Sequence, residues 1–116
     1  NIRNFFAPDG MSLQDCAKAV VSANDGDYLI RMNEKKEYVL VIKDSEAKDN
    51  IRMYTMKPDG TGKWIFGNHV FPSMKSVVKL LQVKPIKSKT GKLIHLGVPA
   101  PGGVAKDEPG PEPATP

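Results

Sequence analysis

The sequence predicts an α+β fold: a central antiparallel β-sheet flanked by two α-helices. Three observations point to it. Segments 12–21 and 73–82 repeat apolar residues at helical spacing, each behind a serine able to cap the first turn. Between them, stretches 27–31, 38–44 and 51–56 have the aliphatic and aromatic make-up of strands. The polar links joining those strands are too short for a crossover helix, so the strands must run antiparallel. One amphipathic helix before such a sheet and one after it can cover both faces.

The first helix begins at Ser12, with Asp15 three residues on, a variant of the capping box. Leu13, Cys16, Ala17, Val20 and Val21 form its apolar stripe, and Asn24-Asp25-Gly26 ends it. "DYLIR" is a short strand. "YVLVIKD" is apolar on both faces, which predicts an interior strand. In "IRMYTM", Ile51, Met53 and Thr55 share one side, and Arg52, Tyr54 and Met56 the other. "KPDGTGK" is a turn, "KWIF" a short strand and "GNHVFPS" a loop. Ser73 caps a second helix that buries Met74, Val77, Val78 and Leu81. "KPIKSKTGK" reads as a basic loop and "LIHLGVPAP" as a closing strand. Residues 1–101 are expected to form one domain, and the Pro-rich stretch 102–116 a disordered tail or linker.

The 116 residues suffice for one modest core. The net charge is +4, and the acidic tail leaves the body ahead of it more basic still. Such a body favours an anionic partner. No apolar run approaches the roughly 18 residues of a membrane span. The lack of a starting Met or an apolar leader is expected of a piece of a longer protein. Cys16 stands alone and His69 and His95 are isolated, so no metal cluster, cofactor site, nucleophile constellation or acid/base pair emerges. The lone cysteine favours a reducing, cytoplasmic setting. The domain itself is expected to be non-catalytic, whatever a neighbouring kinase or phosphatase domain adds.

Five segments, in order, resemble one family. "GDYLIR" is similar to a Phe-Leu-Val-Arg strand, and "YVLVIKD" to Tyr-x-Leu-Ser-Val-x-Asp. "IRMYTM" resembles Val-x-His-Tyr-x-Ile, and "FPSMKSVVKLL" resembles Phe-x-Ser-Leu-x-x-Leu-Val-x-x-Tyr. "LGVPAP" resembles a closing Leu-x-x-Pro-x-Pro. Together they identify residues 5–101 as similar to a Src-homology-2 domain, the phosphotyrosine-binding module of intracellular signalling proteins. The resemblance implies that Arg31 holds the phosphate, supported by Asn33, Glu34, Lys35, Met53 and Thr55. It also implies that Tyr54, Ile65, Phe66 and Gly67 read the residues after the phosphotyrosine, with Phe66 narrowing an apolar pocket. Phe66 could equally pack inward as core.

An arginine suits that role because its planar fork makes two parallel bonds to phosphate oxygens and its charge is permanent. The other reading of Arg31 is a strand-end residue paired with Asp27 or Asp15. Leu13, Met53, Thr55 and Asn33 stand where the family often has arginine, histidine, lysine and serine. Fewer fixed donors imply weaker phosphate binding. The alternative function is therefore a degenerate scaffold or interaction domain of the same fold, with an intramolecular, lipid or unphosphorylated ligand. The expected partner is a tyrosine-phosphorylated protein bound by a monomer, with no nucleic acid. Lys84, Lys87, Lys89 and Lys92 would offer a weak contact to an acidic membrane face.

Overall fold

A computed structural model describes residues 5–8, 10–87, 91–100 and 102–104. Helix α1 (Leu13–Val21) leads into strands β1 (Tyr28–Met32), β2 (Tyr38–Lys43) and, after a short turn at Lys48–Asn50, β3 (Ile51–Pro58). Strands β4 (Trp64–Phe66) and β5 (His69–Phe71) follow, then helix α2 (Met74–Val83) and a small ribbon of β6 (Ile86–Lys87) and β7 (Leu93–Ile94). The first five strands form one antiparallel sheet in chain order.

Both helix starts are set by serine. The Ser12 Oγ accepts from the Asp15 N–H at 3.1 Å. The Ser73 Oγ accepts from the Ser76 N–H, and the Ser76 Oγ accepts in turn from the Ser73 N–H, both at 3.2 Å. This is a reciprocal capping box with serine in the place of the usual Glu. At the far end of α1, the Lys43 ammonium donates to the carbonyls of Val21 and Ala23. A cation there complements the negative end of the helix dipole and ties β2 to α1.

Alternation along the strands divides the core into two layers. Tyr28, Ile30, Tyr38, Leu40, Ile42 and Met56 pack against Met74, Val77, Val78 and Leu81 of α2, joined by Phe5, Phe6, Trp64 and Phe71. Each large side chain fully buried there contributes about 1.5–3 kcal/mol. The opposite face carries Leu29, Val39 and Val41 against Cys16 and Val20 of α1, with Ala7 and Ala100. This second layer is thin and made of small residues. Arg31, two positions after Leu29, belongs to the same face as this thin layer.

The free edge of β1 is covered by both ends of the described chain. Ile30 donates to the Phe5 carbonyl and Ala7 to that of Ile30, each at 2.8 Å. Ala100 donates to Tyr28 at 2.9 Å, and Val104 donates to Phe6 at 2.7 Å. The packed chain therefore includes Val104, while residues 105–116 of the expected tail lie outside the described residues.

Two elements differ from expectation. Residues 69–71, read as loop, form β5, because a two-residue turn at Gly67 (φ 61°) folds them back on β4 with Ile65 opposite Val70. The closing strand is split. Leu93–Ile94 pair with β6, and the following segment runs beside β1 without a regular ladder, since Pro99 has no N–H to give.

Gly26 takes φ 93°, and a Cβ added there would sit 2.7 Å from the His95 carbonyl oxygen. Gly26→Ala is accordingly expected to cost about 2 kcal/mol or more, from a strained φ together with a backbone clash. Chemical denaturation of both proteins checks it; an unchanged midpoint would contradict the close packing of the two segments.

Candidate functional site

A cavity of about 280 Å³ opens between residues 7–8 and 10–11, the N-terminal end of α1 and the end of β1 with its following loop. Its lining includes Ala7, Pro8, Gly10, Met11 and Ser12 on one side and Arg31, Met32, Asn33 and Glu34 on the other. The small residues of the α1 layer leave this end of the face unfilled. Two features make it electropositive. Arg31 is the one cationic residue among the described residues lining it. The start of α1 adds the positive end of a helix dipole and N–H groups without intrahelical acceptors.

The state of Arg31 separates its two sequence readings. It makes no ion pair among the described residues, and its Nε is buried without a hydrogen-bond partner. Asp27, one candidate for neutralising it, accepts instead from the N–H groups of Val98 at 3.1 Å and Asn24 at 3.2 Å. Asp15, the other, is exposed in the first turn of α1. A buried N–H of a charged group left unpaired costs about 1–3 kcal/mol, so an anion entering the cavity would relieve a standing penalty. Burial pushes the Cys16 thiol up, and the nearby Arg31 charge pulls it partly back. The guanidinium field thus reaches under α1.

Of the expected phosphate residues, Arg31, Asn33 and Glu34 line the cavity, whereas Lys35, Met53 and Thr55 do not. Register nevertheless aligns Arg31 with Val39 and Val39 with Thr55, and Leu29 with Val41 and Val41 with Met53. The two β3 residues therefore share Arg31's face, and both are exposed. The donor expected of Asn33 is engaged internally: its Nδ2 donates to Glu37 Oε1 at 3.0 Å. Its Oδ1 accepts from the N–H groups of Lys35 and Glu37, each at 2.9 Å. The Lys35 N–H is thereby committed to closing the loop, an Asx-type turn, and is not free for an anion.

On the other side of the sheet, Tyr54 and Phe66 meet edge to face, with ring centroids 5.8 Å apart. Both are partly buried against the α2 layer. Ile65 is 37% exposed and Val70, opposite it, 52%. Tyr54, Ile65, Phe66 and Gly67 are thus gathered around the β3–β5 end of the sheet.

The basic run divides. Lys84 and Lys87 are exposed, and Lys89 lies outside the described residues. Lys92 corrects the expectation of a freely solvated cation: its Nζ lies 2.7 Å from Asp44 Oδ1, 3.6 Å from Glu46 and 3.9 Å from Asp25. Asp44, with no exposed surface, also accepts from Arg52 Nε. Burial alone would raise the Asp44 carboxyl, but bonds from Lys92, the Glu46 N–H and Arg52 outweigh it and hold it at about 2. Sequence reading missed this hub. It also missed the wall formed by Ala7, Pro8, Gly10 and Met11, for which Pro8 and Gly10 just ahead of a helix cap were the available signal.

No helix among the described residues is long and apolar enough to cross a membrane. The fold is similar to the solution NMR structure of the SH2 domain of a Monosiga brevicollis CRK/CRKL homolog (crka1). The TM-score is 0.68 at 16% identity, over 86% of this chain and 88% of that one. A search of curated proteins finds no match. The SH2 domain family model matches residues 10–81, more than half of the sequence and a span holding α1, the five-stranded sheet and most of α2. By that match the chain belongs to the SH2 domain family, whose members are non-catalytic modules that bind tyrosine-phosphorylated peptides.

Proposed function

We propose that this domain binds tyrosine-phosphorylated peptides by pairing the phosphate with Arg31 at the floor of the cavity beside α1. The observation that carries the reading is the buried, unpartnered Nε of Arg31 in an open, electropositive cavity. A phosphate arriving on an aromatic ring reaches that depth, whereas one on the shorter serine or threonine side chain stops short. The guanidinium gives the anion paired bonds in a poorly screened position. The first N–H groups of α1 add oriented dipoles. Met53 and Thr55, on the same face, and Leu13 (39% exposed), at the start of α1, offer the ring apolar contact rather than charge. Lys35, exposed in the loop after β1, supplies at most a screened attraction. The partner is thus a phosphorylated protein in a reducing, cytoplasmic setting, bound by a monomer.

The neutral side chains at Leu13, Met53 and Thr55, with the Asn33 amide bonded to Glu37, also favour the second reading: a scaffold of the same fold in which phosphate binding is weak. An NMR titration with a phosphotyrosine peptide distinguishes them. Capture through Arg31 perturbs Arg31, Asn33 and Glu34, and Arg31→Ala abolishes the perturbation. Shifts confined to Lys84 and Lys87 would mean that only peripheral charge attracts the peptide.

The peptide downstream of the phosphotyrosine crosses the sheet toward Tyr54, Ile65, Phe66 and Gly67. Because Phe66 packs against Tyr54 from a partly exposed position, it both supports and narrows the apolar surface there. Phe66→Ala is expected to broaden the preference for apolar residues after the phosphotyrosine and to shift affinities by about 3–10-fold, the loss of one aromatic contact. A peptide-library screen reads this out, and an unchanged preference would assign Phe66 to the core alone.

A further inference from the structure

We infer that the Arg31 cavity accepts singly charged aryl anions, an aryl sulfate or a monoprotonated aryl phosphate, nearly as well as the aryl phosphate dianion. The inference rests on the proposed reading of Arg31 as the anion site and extends it to the charge of the ligand. The attraction between an anion and its site grows in proportion to the anion's charge. The cost of stripping water from it grows with the square of that charge. A second negative charge is therefore worth binding only where the site offers more than one fixed positive charge.

This cavity does not. Arg31 is the sole cation among the described residues lining it, and Glu34, three positions on along the same wall, is a carboxylate. The other groups near it do not change the balance. On α1, Asp15 and Lys18 are both exposed and of opposite sign, and the buried Cys16 thiol is pushed up and stays neutral. In the loop, Lys35 and Lys36 are exposed and Glu37 is bonded to Asn33. On β3, Met53 and Thr55 are uncharged, and Arg52, on the other side of the strand, is engaged by Asp44. Neither histidine lines the cavity. The dipole at the start of α1 adds about half a charge, and Glu34, exposed and so partly screened by water, cancels about that much. The site is thus balanced for one negative charge.

The test compares one peptide with tyrosine, phosphotyrosine or sulfotyrosine at a single position, by calorimetry or fluorescence anisotropy. The sulfate is expected to bind within about tenfold of the phosphate, since both offer oxygens to the same fork. An aryl phosphate loses its second proton near about pH 6, so a site needing the dianion would weaken about tenfold between pH 7 and pH 5. Here the change is expected to be under about threefold, the monoanion taking over. Glu34→Gln, an exposed change that leaves the fold alone, should raise phosphate affinity more than sulfate affinity. A sulfate at least about a hundredfold weaker, together with a full acid loss, would overturn the inference while leaving Arg31 capture standing. Phosphopeptide binding that survives Arg31→Ala, or no binding by any of the three peptides, would overturn both.

Discussion

Replacing Arg31 by lysine is expected to weaken phosphotyrosine-peptide binding by roughly 30-fold or more, about 2 kcal/mol, while leaving the protein folded. The two side chains carry the same charge, so the loss isolates geometry. A guanidinium meets two phosphate oxygens at once from a fixed plane, whereas an ammonium offers a rotating point charge that is more strongly hydrated. Stability should be little affected because Arg31 makes no ion pair among the described residues and its Nε has no hydrogen-bond partner there to lose. Removing that buried donor is expected to stabilise the unliganded protein slightly. Calorimetric titration together with thermal unfolding of both proteins measures the two effects. Equal affinity for the two would show that paired bonds play no part in capture.

Asp44→Asn should have the largest effect on the fold, a loss of about 3 kcal/mol, with ligand contacts untouched. Asp44 is fully buried at the end of β2, and two cations from distant parts of the chain converge on it: Arg52 on β3 and Lys92 just ahead of β7. An amide keeps the acceptor for the Glu46 N–H but leaves Arg52 and Lys92, only 19% and 25% exposed, short of a counter-charge. The pH dependence follows from the same contacts. The folded carboxyl is held at about 2, below the ordinary value near about 3.9. Its contribution is therefore complete above about pH 4 and is lost as the pH falls toward about 2, when the native state must take up the proton. Urea unfolding at a series of pH values should show the natural protein and the variant converging at the acid end. Identical stabilities at neutral pH would mean that the pair only breaks even with its desolvation.

The helices were legible because their boundaries are local chemistry. Ser12 and Ser73 announce their caps within four residues, and the stripes through Val20 and Leu81 repeat at helical spacing. β1 to β3 were legible from alternation and from the unbroken apolar run of β2. β5 was not, because three residues bounded by a glycine turn and Pro72 offer too little pattern to separate strand from loop. Arg31 stood out through its unusual place at the end of an apolar strand. The surroundings that decide its role did not, since the partners of Asp27 and Asn33 are set by backbone N–H groups that sequence does not display. Lys92 looked like one more solvated lysine, because its counter-charge lies 48 residues away.

The hydrogen bond between Val104 and Phe6 has a mechanical corollary. The segments around Phe6 and Val104 meet side by side, so tension applied through them is borne by a contact at the rim of β1. The central ladder would feel little of that load. Such a unit can be spliced into a surface loop of a host protein without prising the host apart.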